Sequence, residues 1–166
     1  MQNVSVKIFP SAQKALIDIA VRHSPNETGG VLVGTRNINN AALEFNILGV
    51  LGIAEYDEFG DAYKASPTTF VCSDRMGWAN LALKAVKTFG MSYIGDWHTH
   101  PNSNYTKLSS QDVSFVTQQY LLGQFLPFPP LHLLLSWHFK GREMDITANI
   151  MLGDVILVVR PEVIEN

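Results

Sequence analysis

The sequence predicts a mixed α/β chain, one mixed β-sheet flanked by helices, and three observations carry that expectation. Segments of alternating apolar residues and segments with apolar residues at helical spacing succeed one another, so strands and helices are interleaved. Two strand-like runs late in the chain are joined by a Lys140-Gly141 turn, which reads as an antiparallel hairpin. The length of 166 residues, with 46% apolar and 16% charged residues, suits one domain spanning 1–166.

The elements follow in order. Val4, Val6 and Ile8 alternate with polar neighbours and predict a first strand. Pro10 and Ser11 open a helix whose stripe is Ala12, Ala15, Leu16, Ile19 and Ala20. His23 lies near its end, where the helix dipole favours a cation, and Pro25 and Asn26 break it. Glu27-Thr28-Gly29-Gly30-Val31-Leu32-Val33-Gly34 reads as a strand entered through glycines that permit a tight turn. Residues 42–53 form another strand, with Leu43, Phe45, Ile47 and Leu51 on one face. Periodicity dissolves over residues 54–69, which predicts a long functional loop. Phe70-Val71-Cys72 is a short strand, and Ser73 caps the helix that carries Trp78, Leu81, Ala82, Ala85, Val86 and Phe89 and stops at Gly90. Ser92 to His100 is a strand terminated by Pro101, and the polar loop Asn102 to Lys107 leads to a helix starting near Ser109. That helix has the stripe Val113, Val116, Thr117, Tyr120 and Leu121, and the stretch Gly123 to Pro130 after it is irregular. The hairpin places Leu131, Leu133, Leu135, Trp137 and Phe139 on one face, with His132 and His138 opposite as solvated or helix-covered side chains. Ile156 to Val159 is the last strand.

Composition excludes several function classes. The net charge is −3 and no window is strongly basic, so no nucleic-acid footprint is expected. No run approaches the roughly 18 apolar residues of a membrane span, and the N-terminus lacks a secretory pattern; a cytoplasmic protein is expected. Cys72 is the single cysteine, which excludes an intramolecular disulfide and a multi-cysteine zinc site and suits a reducing compartment.

The sharpest local feature is His98-Thr99-His100. Residues two apart on a strand point to the same side, about 6.6 Å apart along the chain, so two imidazoles can converge on one ion. A catalytic zinc takes three protein ligands and keeps a position open for water. Asp112 is the candidate third ligand, one turn into the helix and beside Val113 and Val116, where an unpaired carboxylate is costly to bury. Glu27 is the candidate general base for a zinc-activated water, and Ser109 is placed to donate to the oxyanion of a tetrahedral intermediate. Plainer readings stand beside these. The two histidines can be hydrogen-bonded strand residues, and Glu27 can merely introduce a turn. Ser109-Ser110-Gln111-Asp112 also reads as a helix capping box, and the two uses of Asp112 are expected to compete, since a ligand does not also reach back to the cap. Asp96 shares the face of His98 and is a candidate supporting acid near the metal. Cys72 and Trp78 read as packing.

Taken together, Glu27-Thr28-Gly29-Gly30, Trp97-His98-Thr99-His100-Pro101 and Ser109-Ser110-Gln111-Asp112 resemble the JAMM (MPN+) signature: a glutamate, then His-x-His-Pro, then Ser-x-x-Asp. The resemblance covers roughly residues 1 to 140, because the order of helices and strands matches as well. It departs at one point: 11 residues separate His100 from Asp112, one more than the family usually has, and the loop Asn102–Lys107 is the simplest place for the extra one. The resemblance implies a JAMM/cytidine-deaminase-like fold in which His98, His100 and Asp112 bind Zn2+, Glu27 is the acid/base and Ser109 steadies the oxyanion. It further implies a zinc-dependent (iso)peptidase, of the compact prokaryotic type, hydrolysing the bond after the C-terminal glycine of a ubiquitin-like protein. The implied partners are that modifier or its conjugate and E1- or E2-like enzymes of the same pathway, with phage defence as one context. Asp57, Glu58 and Asp61 then read either as solvated charges or as contacts to an arginine near the modifier's tail. Two other readings stay open: a non-catalytic MPN-type scaffold, and a zinc peptidase acting on a sulfur-carrier, phage-tail or cell-wall peptide.

Overall fold

A computed structural model describes residues 3–39, 42–56, 63–72, 75–101, 103, 106–121, 129–137 and 144–165. Among them the chain runs β1 (Asn3–Ile8), α1 (Pro10–His23), β2 (Gly29–Asn39), β3 (Ala42–Gly52), β4 (Tyr63–Ser66), β5 (Thr69–Cys72), α2 (Arg75–Phe89), β6 (Ser92–Pro101), α3 (Ser110–Leu121), β7 (Leu131–Trp137), β8 (Met144–Leu152), β9 (Val155–Val159) and β10 (Glu162–Val163). Eight strands form one mixed sheet in the order β10-β1-β3-β2-β6-β7-β8-β9, and β4 pairs with β5 in a separate hairpin. The β1–β3 and β6–β7 pairs are parallel, whereas β2 runs antiparallel to both β3 and β6. The mixed sheet flanked by helices is therefore observed as expected. Among the described residues no helix is long and apolar enough to cross a membrane.

Helices lie on both faces of the sheet. On one face Ala12, Leu16, Ile19 and Ala20 of α1 pack with Val6, Ile8, Phe45, Ile47, Trp97 and Leu133. On the other, Leu81 and Ala85 of α2 pack with Val31, Val33 and Ile53. Each of these large side chains is buried, and each contributes about 1.5–3 kcal/mol relative to exposure. Strand β6 lies in the middle and is covered on both sides, so all its residues from Ile94 to Pro101 are buried.

Three features differ from the sequence reading. Leu51 does not share the face of Leu43, Phe45 and Ile47. A bulge shifts the β2–β3 register after Val33, so Val50 continues that face and Leu51 turns to the α2 side. The stretch 54–69 is not one long loop: it contains the end of a 3-10 turn (Ile53–Glu55), strand β4 and a tight turn into β5. The Tyr63 and Phe70 rings meet edge to face at 5.8 Å across that hairpin, a cross-strand pairing that a four-residue strand is too short to announce by alternation. Gly29 and Gly30 do not make a turn either. They are strand residues, and a Cβ on Gly29 would stand 2.5 Å from the Trp97 carbonyl oxygen, so their role is close approach of backbones. Asp57, Glu58, Asp61, Ser73, Asn102, His138, Phe139, the Lys140-Gly141 turn and residues 123–128 lie outside the described residues.

Gly95 is the glycine that the site depends on. Its φ of 157° lies where side-chain-bearing residues are strained, and a Cβ there would meet the Leu131 carbonyl oxygen at 1.9 Å. It sits where the β2–β6 register shifts, just ahead of Asp96, His98 and His100. Gly95→Ala is expected to lower unfolding free energy by about 3 kcal/mol or more, strain and overpacking each contributing roughly 1–3 kcal/mol. Denaturant titration reads this directly, and an unchanged midpoint would contradict it.

Candidate metal centre

The site is built on the last residues of β6. With strand alternation, Asp96, His98 and His100 face the α2 side of the sheet. The His98 and His100 side chains are almost fully covered, and their Nε2 atoms stand 3.0 Å apart. Helix α3 then brings in Asp112 from above. Ser103 N–H donates to the Trp137 carbonyl at 3.1 Å, and the Thr147 hydroxyl donates to the Thr106 carbonyl at 3.3 Å. These bonds pin the connection from β6 to α3 onto β7 and β8. The extra residue in this connection does not displace Asp112: Oδ1 lies 3.4 Å from His98 Nε2, and Oδ2 lies 3.4 Å from His100 Nε2.

Asp112 is also half of a capping box. Ser109 N–H donates to Asp112 Oδ2 at 2.7 Å, and Asp112 N–H donates to Ser109 Oγ at 3.2 Å. The expected competition between cap and ligand does not occur, because an ionised carboxylate offers about four acceptor positions on two oxygens. Oδ2 accepts from the cap and also faces His100, while Oδ1 faces His98.

The donor set fits a small tetrahedral ion. Donors bound at about 2.0–2.2 Å around such an ion stand roughly 3.3–3.6 Å apart. Here the two imidazole nitrogens stand 3.0 Å apart and each lies 3.4 Å from a different oxygen of Asp112, and one donor atom from each of the three residues can be chosen within 4.8 Å of the others. His98, His100 and Asp112 are the group among the described residues that can hold a metal ion. Burial works against the Asp112 charge, but hydrogen bonds from His100 and His98, the nearby histidine charge and Ser109 together outweigh it and hold the group well below the usual carboxylate range. Burial, against the pull of Asp112, keeps His98 below the ordinary histidine value, which favours the neutral ring with one nitrogen lone pair to offer.

Glu27 reaches the same place through the β2–β6 ladder. Gly29 pairs with His98 in an antiparallel register. Beyond it, Thr99 N–H donates to the Thr28 carbonyl and Thr28 N–H donates to Thr99 Oγ1, both at 2.8 Å. One further step puts Glu27 opposite His100, on the same face. The Glu27 side chain is 8% exposed; burial pushes its carboxyl up to about 7, with His100 drawing it down and Asp112 adding to the rise. Its N–H donates to the Ser66 carbonyl at 2.8 Å, so the β4–β5 hairpin clamps the segment from the other side.

Two neighbours change the sequence picture. Asp96 shares the face of His98 but belongs to a different network: it accepts from Tyr93 O–H at 2.6 Å and from Trp78 Nε1–H at 3.0 Å. Burial pushes its carboxyl up to about 7 against the pull of those two bonds. A supporting contact to the metal ligands is not what its hydrogen bonds provide. His132, read as solvated or helix-covered, is 6% exposed and joins the site, its Nε2 lying 2.7 Å from His98 Nδ1. The signal for this was present: Leu131 to Leu135 is apolar at both parities, the pattern of a strand covered on both faces. His23, at the end of α1, faces Glu55 at 3.0 Å, and Glu55 also accepts from Arg22 Nη1 at 2.6 Å.

Comparison with known proteins adds to this geometry. The family model described as prokaryotic homologs of the JAB domain matches residues 10–148. Among solved structures, the solution structure of protein DSY2949 from Desulfitobacterium hafniense is similar in fold, with a TM-score of 0.68, 16% sequence identity, and coverage of 97% of this chain and 94% of that one. No match is found among curated proteins.

His100→Ala and Asp112→Ala are each expected to abolish stoichiometric metal binding after dialysis, as measured by elemental analysis; retention of one ion by either variant would point to another ligand. Asp96→Ala is expected to keep the ion and to lose about 2–6 kcal/mol of stability, because two donors are left unpaired at about 1–3 kcal/mol each.

Proposed function

This chain belongs to the family of prokaryotic homologs of the JAB domain, and on that premise we propose that it is a zinc-dependent (iso)peptidase of the cytoplasm that hydrolyses the bond after the C-terminal glycine of a ubiquitin-like protein. The observation that carries the reading is the clustering of His98, His100 and Asp112 donor atoms within 4.8 Å of one another, with Glu27 near enough that His100 and Asp112 act on its charge. An intact donor set distinguishes the reading from a scaffold that has lost its ligands.

Zinc held by His98, His100 and Asp112 would supply Lewis acidity and lower the pKa of water toward about 7. Glu27 is then the general base: its carboxylate takes a proton from the attacking water and returns it to the leaving amine as the amide bond breaks. Burial raises the basicity of this carboxylate, and the positive charge of the ion acts in the opposite sense, so the proton sits on a group able both to accept and to release it. Ser109 accepts from Asp112 N–H yet keeps its own hydroxyl proton, which donates to the oxyanion as the carbonyl becomes tetrahedral. The products are a free C-terminal carboxylate on the modifier and the released amine.

The substrate's tail is extended and narrow. It is read by main-chain hydrogen bonds along a strand edge, a mode that supplies register whatever the side chains. The β4–β5 hairpin, fastened to Glu27 through Ser66, flanks the channel in this proposal. E1- or E2-like enzymes of the same pathway would generate the conjugate.

Glu27→Gln is expected to retain one zinc and a wild-type melting transition while turnover of a modifier–fusion protein falls by about 10²–10⁴. Incubation of the wild type with a panel of such fusions, with and without a zinc chelator, reads the activity. A Glu27→Gln enzyme as fast as wild type would remove Glu27 from its role, and chelator-insensitive cleavage would remove the metal.

A further inference from the structure

His98 is held at both of its ring nitrogens. Nε2 faces His100 Nε2 at 3.0 Å and Asp112 Oδ1 at 3.4 Å, and Nδ1 lies 2.7 Å from Nε2 of His132. The His98 and His132 rings are 4.9 Å apart at an interplanar angle of 49°, and both are buried. Two ring nitrogens at that distance share one proton: one donates and the other accepts.

The assignment follows from what His98 must do. Its Nε2 offers a lone pair to an ion only when the ring proton is on Nδ1. The acceptor for that proton is then Nε2 of His132, whose own proton must sit on Nδ1. His132 is itself well fixed for the task. Its strand pairs in register with β6, its carbonyl accepts from Asn149 Nδ2 at 3.3 Å, and the Phe115 ring of α3 lies 6.3 Å from its own.

We propose that His132 is a positioning residue that selects the Nδ1–H tautomer of His98 and orients its Nε2 toward the metal. The usual partner in this role is a carboxylate, a carbonyl or a water. Here a neutral imidazole does the same work without adding charge beside Asp112. The proposal rests on the metal centre of the proposed function and adds a residue that the sequence motif does not contain.

The test compares zinc affinity of wild type, His132→Phe and His132→Gln by competition with a chelating indicator. His132→Phe fills the volume without an acceptor and is expected to weaken zinc binding by about 10–100-fold. His132→Gln places a side-chain oxygen near the lost nitrogen and is expected to recover most of that affinity. Cobalt(II) loaded in place of zinc should show an altered visible spectrum in His132→Phe and a restored one in His132→Gln, a readout that packing alone would not reverse. Where a variant fails to fold, imidazole 15N shifts of zinc-loaded wild type decide: a proton on Nδ1 of His98 supports the proposal, and a proton elsewhere on that ring overturns it. Equal zinc affinity in wild type and His132→Phe overturns the proposal alone. Failure of the wild type to bind zinc or cobalt overturns the metal centre as well.

Discussion

The pairing of β2 with β6 is the constraint from which the rest of the site follows. An antiparallel ladder sets residues directly opposite one another on a common face; its last rung here is Gly29 with His98, and two hydrogen bonds between Thr28 and Thr99 extend it. Glu27 and His100 come from distant parts of the chain, yet their relative position is decided by that register. A slip of one residue would turn Glu27 to the opposite face of the sheet. Thr99, wholly buried between the two histidines, locks the register with its side chain as well as its backbone.

Packing and electrostatics then work against each other in a small volume. Two imidazoles and two carboxylates are drawn out of water by α2, α3 and the hairpin, and burial opposes the charged form of each. The pairs resolve differently. Asp112 stays ionised beside the two histidines and the cap N–H, whereas burial pushes Glu27 up to about 7. Neighbouring carboxyl groups with separated proton affinities suit one to hold a cation and the other to move protons. Asp96, two residues away on the same strand, is kept out of this division by Tyr93 and Trp78.

Much of this could be read from the residues. The alternation in Val4, Val6 and Ile8, the stripes of α1 and α2, and the His98, His100 and Asp112 grouping all recur in the folded chain. What escaped has physical causes. The face assignment of Leu51 failed because a bulge inserts a residue without altering composition. Strand β5 recurs as read at Phe70–Cys72, but its partner β4 escaped because four residues carry too little alternation, and the Tyr63–Phe70 ring contact links the two strands rather than marking either. His132 is helix-covered, one of the two readings left open, with the Phe115 ring of α3 beside it; what escaped is its contact with His98, because alternation relates it to Leu133 but says nothing about its partners on its own face. Asp112 was set against itself because a side chain was treated as having a single acceptor.

That shared carboxylate ties two events that are normally separate. The first turn of α3 is closed by the same atoms that face the histidines, so an ion captured at the site also holds the start of the helix, and fraying of that turn surrenders a ligand. Thermodynamic reciprocity requires the two effects to be equal in free energy. An ion bound there would make metal occupancy and helical order at residues 109–112 coordinates of one equilibrium.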